Sequence, residues 1–260
     1  MNKKINKQMR AILRYLLLIN FLIIIFNKNK LYFIEYKNSN KITLKVKESG
    51  NRQIFCSNTN SFSPGYYPNK VYINGIQKSV VNHTYYFENE DNIVELEWNN
   101  KIDNCFYMFG SCHDINEIDL SNFDSSEVIN MEFMFYNCQF LTSINLDNID
   151  TSKVKSMWGM FRLCTKVKYL NLLNFKTSKV ENVLNMFSQC SSLTSLDLSN
   201  FDTHLITTMD RMFWKCENLE YINMKNFNED KLQQTEKMFE EVPNNIVICT
   251  DSNNNKYYLN

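Results

Sequence analysis

Between residues 101 and 250 apolar side chains return with a period of 26. The anchor is a Met-Phe pair with a cysteine four positions after the Met: MFGSC from Met108, MFYNC from Met134, MFRLC from Met160, MFSQC from Met186 and MFWKC from Met212. Counting from the Met, apolar residues recur at +7, +10, +12 and +15, then at +20 and +23. In the fourth unit these are Leu193, Leu196, Leu198, Phe201, Ile206 and Met209. Leu196 and Leu198 flank Asp197, the alternation of a short strand. Ile206, Met209, Met212, Phe213 and Cys216 step by three, three, one and three, the stripe of a helix. Residues that favour helix N-caps precede that stripe, as DSS at Asp124, DTS at Asp150 and KTS at Lys176. The pattern predicts one short parallel strand and one helix per repeat. Such a unit buries its open faces only against its neighbours, so the expected architecture is an α/β solenoid with a parallel sheet on one side.

The array departs from its own rule at both ends. Ile102 and Cys105 fit +20 and +23 of a unit whose strand is out of register, and at Met238 the motif becomes MFEEV, followed by Pro243 and NNIVICTD. These read as caps. Ahead of the array, residues 41–100 alternate as strands do, in KITLKVKE, KVYINGIQ and NIVELEW among others, and Asn74-Gly75 is a two-residue hairpin signal. A small antiparallel β module is expected there.

The first 33 residues differ again. Lys3, Lys4, Lys7 and Arg10 precede the apolar run Ala11–Phe26. A basic stub followed by an apolar run reads as an uncleaved signal anchor, a membrane helix with the rest of the chain outside, and a cleaved signal peptide with secretion is the alternative. The predicted organisation is therefore 1–33 stub and anchor, 41–100 β module, 101–250 solenoid and 251–260 tail. The sequon at Asn82 adds slight support for export.

LTSLDLSNFDT, from Leu193, together with the Met-Phe-x-x-Cys motif, resembles the repeat of BspA-like leucine-rich-repeat surface proteins, also found in mycoplasma-type surface proteins. The likeness runs over residues 101–250, in register. It implies an extracellular, non-enzymatic array that serves adhesion or recognition. A continuous outward face on the strands predicts binding of an extracellular, host or matrix protein, and a structural or antigenic coat without a specific ligand is the alternative.

Composition changes little in this picture. The 28 basic and 28 acidic residues cancel, and no basic run lies in the body of the chain, which argues against a nucleic-acid partner. The ladder Cys112, Cys138, Cys164, Cys190 and Cys216 holds equivalent positions one rung apart, too dispersed to converge on one zinc ion, so no metal or cofactor is expected and the thiols read as packing groups. Cys56, Cys105 and Cys249 lie off the ladder, and a disulfide among them stays open. A second ladder, Asn122, Asn148, Asn174, Asn200 and Asn226, reads as turn asparagines. The three histidines are scattered and the five glycines form no phosphate loop, so no catalytic residue is assigned. The candidate partner-binding face is the outward side of the strands at +9, +11 and +13: Glu117, Asp119, Asn145, Asp147, Tyr169, Asn171, Leu173, Asp197, Tyr221 and Asn223.

Overall fold

A computed structural model describes residues 22–27, 30–35, 40–56, 63–80 and 83–251. The chain divides into two compact units, 1–39 and 40–260. In the first, β1 (Leu22–Asn27) pairs antiparallel with β2 (Lys30–Glu35). This corrects the expected membrane helix over its last turns: the β-branched run Ile23–Ile25 has a strand preference. Residues 11–21 of that expected span, and Asn82 of the sequon, lie outside the described residues. Among the described residues no helix is long and apolar enough to cross a membrane.

The second unit opens with antiparallel strands β3 (Asn40–Val46), β4 (Gly50–Gln53), β5 (Lys70–Ile73), β6 (Ile76–Lys78), β7 (Thr84–Phe87) and β8 (Asn92–Trp98). Asn74 and Gly75 join β5 to β6 with φ of 50° and 77°, both positive as a type I′ turn requires. The repeats contribute β9 (Ile115–Asn122), β10 (Ser143–Asn145), β11 (Ser195–Asp197), β12 (Tyr221–Asn223) and β13 (Val247–Cys249). One six-stranded sheet runs in the order β10-β9-β3-β8-β5-β6. β3 lies antiparallel on β9 and so covers the first edge of the array, which would otherwise offer unpaired backbone groups. Strands β11, β12 and β13 form a separate parallel sheet.

The expected α/β solenoid with a helix in each repeat is overturned. Among the described residues there is no α-helix, and the one helical turn is the 3-10 segment Pro64–Tyr66. The Met-Phe-x-x-Cys stretch is a string of turns. The amides of Met108, Gly110 and Cys112 donate to carbonyls three residues back, while those of Cys105, Tyr107, Phe109 and Ser111 donate to Asn130, Glu132, Met134 and Tyr136 of the next repeat at 2.7–3.0 Å. A helix would spend those alternate amides on its own carbonyls and leave adjacent repeats unjoined. Left-handed residues at −1 and +3 interrupt helical winding in every unit, among them Tyr107, Asn137, Leu163 and Lys215. Their cost, roughly 1–2 kcal/mol each, is set against the main-chain bonds they permit. The strand expectation also fails in the third repeat, where residues 169–171 form no ladder.

The DSS, DTS and KTS segments cap no helix. Instead the amides of Lys176, Asp202 and Asn228 donate to the hydroxyls of Thr151, Thr177 and Thr203, each at 2.7 Å, and those hydroxyls donate back to the carbonyls of the same residues. The three threonines are buried, and each satisfies a backbone donor and acceptor one rung away. Inside the rungs, Phe109, Phe135, Phe161, Phe187, Phe213 and Phe239 form one continuous column, with centroids 5.3–5.8 Å apart and neighbouring planes within 16°. That spacing follows the rise from one rung to the next.

Candidate functional site

On the strand face each +11 side chain turns back on its own backbone. The Oδ1 atoms of Asp119, Asn145, Asn171, Asp197 and Asn223 accept the amide two residues on, from Ser121, Asp147, Leu173, Ser199 and Lys225, at 2.9–3.3 Å. These are Asx turns, which end each strand. Five of the ten candidate residues thus carry a turn in their side-chain oxygens. At Asp197 partial desolvation raises the carboxyl pKa, but hydrogen bonds from Ser199 and Asn223 outweigh it and hold the group below its ordinary range. The +14 asparagines are likewise engaged: Asn148, Asn174 and Asn226 donate to the carbonyls of Ser121, Asp147 and Ser199 on the preceding rung.

The other candidates divide into two groups. Glu117 is ion-paired with Lys45 at 2.6 Å and, with Asp119 and Asn145, lines a recess of about 250 Å³ at the start of the array. Asp147 accepts the Asn171 amide at 3.4 Å. Tyr169, Leu173 and Tyr221 project from the face, 68%, 57% and 37% exposed. Tyr169 and Leu173 lie at +9 and +13 of the third repeat, where the strand lapses, and Tyr221 occupies the same +9 position two rungs on. The Tyr221 phenol is held above its ordinary pKa, first by its contact with the Cys249 thiol.

The cysteine ladder is a line of buried donors. Cys138, Cys164, Cys190 and Cys216 point Sγ at the carbonyls of Phe109, Phe135, Phe161 and Phe187 on the preceding rung, at 3.0–3.1 Å. Burial pushes these thiols up, Cys216 to about 12 and Cys138, Cys164 and Cys190 well above the ordinary value, so none is a poised nucleophile. Cys105 is buried and Cys249 exposed, and among the described residues neither forms a disulfide. Among the described residues no cluster of His, Cys, Asp and Glu is disposed to hold a metal.

The strand-face reading of the sequence overlooks a second surface. Phe106, Tyr107, Phe133, Tyr136 and Arg162, at −2, −1 and +2 of the first three repeats, line a recess of about 330 Å³ on the turn side of the rungs. Aromatic residues at variable positions beside the recurring Met-Phe pair were the available signal.

Residues 76–167 and 141–248 match the family described as "Mycoplasma protein of unknown function, DUF285". Among solved structures, a leucine rich cell surface protein from Faecalibacterium prausnitzii A2-165 is 18% identical over 60% of this chain, with a TM-score of 0.33. The match covers 49% of that protein, so this chain spans about half its length. No curated protein matches the chain.

Proposed function

The chain belongs to the DUF285 family, and from that premise we propose that it is a surface or secreted protein whose strand face binds an extracellular partner protein and performs no catalysis. The observation that carries the binding role is the contrast along that face. Its +11 side chains are tied into turns, whereas Tyr169, Leu173 and Tyr221 stand exposed and hydrophobic beside them. Aromatic and aliphatic anchors held on a hydrogen-bonded frame contribute contact area at little ordering cost. The extracellular setting is supported by the likeness of the repeats to those of BspA-like surface proteins.

The test is binding of the full chain to intact host cells and to matrix extract, compared with a variant carrying Tyr169→Ala, Leu173→Ala and Tyr221→Ala. The expected result is at least a tenfold loss of binding with an unchanged unfolding midpoint. Equal binding by the two proteins overturns the site. A wild-type chain that binds neither cells nor matrix overturns the recognition role in favour of a coat protein without a specific ligand.

A further inference from the structure

The recess on the turn side is built by more than chance exposure of rings. Phe106 meets Phe133 edge to face at 6.1 Å, Phe133 meets Tyr136 in the same way at 5.6 Å, and Trp158 packs behind Phe133 at 4.8 Å. Two of the chain's five glycines make room for these rings. A Cβ at Gly110 would lie 2.2 Å from Cδ1 of Tyr107, and one at Gly159 would lie 2.4 Å from Cε1 of Phe133. The Arg162 guanidinium sits 5.9 Å from the Tyr136 ring centroid, and its Nε–H is buried without a hydrogen-bond partner among the described residues.

Each feature narrows the ligand. The Arg162 guanidinium lines the recess, and a guanidinium matches a carboxylate in a two-point fork. The rings touch one another, with centroids 5.6–6.4 Å apart, so they offer a platform and no interior cage for a quaternary ammonium. Successive rings are turned by 85° and 89°, which denies a flat nucleobase a common stacking plane. A puckered sugar ring directs weakly positive C–H groups in several directions and can meet ring faces in different planes. The volume of about 330 Å³ lies at the small end of ligand pockets, the scale of a single sugar unit.

We propose that this recess binds a carboxylate-bearing sugar, its carboxylate on Arg162 and its C–H face against Phe133 and Tyr136. The site is on a different side of the rungs from Tyr169, Leu173 and Tyr221, and the two stand or fall separately.

The experiment titrates the full chain with sialyllactose, with a glucuronic-acid disaccharide and with neutral lactose. Expected is saturable binding of at least one acidic sugar, tenfold or more tighter than lactose, with the two acidic arms separating a sialic from a uronic source. Arg162→Gln should abolish that preference, and the strand-face triple variant should retain it. In the wild-type chain the Arg162 Nε–H resonance should shift on sugar addition, a readout independent of how any variant folds. Equal affinity for acidic and neutral sugars, a preference that survives Arg162→Gln, an unmoved Nε–H signal, or no binding of either acid at millimolar concentration overturns the proposal.

Discussion

The thiol of Cys138 donates to the carbonyl oxygen of Phe109 across 3.1 Å, one rung back in the stack, and the same oxygen accepts the Cys112 amide at 3.0 Å. The cysteine is thus a second donor to an acceptor that already has one. Cys138→Ala removes the weaker bond and leaves a small void without orphaning Phe109. The expected cost is about 1–2 kcal/mol, read as a shift of the urea midpoint, with partner binding unchanged.

Burial raises the ladder thiols above the 9.0 of an exposed cysteine, Cys216 to about 12. A group whose folded pKa is raised stabilises fully below its unfolded pKa, and that stability is lost as pH rises toward the folded value. The Cys216 contribution to stability should therefore be flat up to about pH 9 and fall between there and about 12, by up to about 1.4 kcal/mol per pH unit, and Cys138, Cys164 and Cys190 act in the same direction. Urea unfolding across pH 8–11 checks the direction. In the native protein at pH 8 a thiol reagent should label Cys249, which is exposed, far faster than the buried ladder.

Thr177 accepts the Asp202 amide at 2.7 Å and donates to the Asp202 carbonyl at 3.1 Å. Thr177→Val keeps the shape and removes both partners at a buried site, so a loss of about 2–3 kcal/mol is expected. Thr177→Ser, which keeps the hydroxyl, should cost less. Equal effects in denaturant unfolding would show that packing outweighs the hydrogen bonds at this corner.

The strand face should separate into frame and display. Asn171→Ala removes the acceptor for the Leu173 amide and is expected to cost about 0.5–1.5 kcal/mol. Tyr169→Ala, at an exposed site, should stay within about 0.5 kcal/mol. Thermal unfolding of the two variants side by side decides it.

Much of the interior is legible in the sequence because burial needs only a period. Met134, Phe135, Cys138, Leu141, Leu146 and Ile149 recur at fixed offsets and are all buried. The helix is misread because its stripe is not unique to a helix. Turns closed every three residues place Met131, Met134 and Cys138 inward as a helix does, and the distinguishing left-handed positions carry few residues that advertise them. Gly159, Asn137 and Asn185 do, but Tyr107, Phe133, Leu163, Arg211 and Lys215 adopt positive φ against their intrinsic preference, held there by bonds to the neighbouring rung. The threonines at +17 look like caps because a cap and a rung link use the same hydroxyl chemistry.

The candidate face was legible as a set of outward positions, not as a division of labour. An Asx residue at +11 is polar and variable between Asp and Asn, as a recognition residue is, and only the amide two residues on reveals its use in a turn. Arg162 and Tyr136 are not legible as a pair because they come together from neighbouring rungs, 26 residues apart in sequence.

The direct test of the rung-to-rung linkage is a through-hydrogen-bond scalar coupling measurement by NMR on the Phe135 amide. Its nitrogen lies 2.9 Å from the carbonyl oxygen of Met160, so a coupling to the Met160 carbonyl carbon is expected. A coupling to the carbonyl of Met131, four residues back, is the mark of a helix and would contradict the stacked-turn architecture.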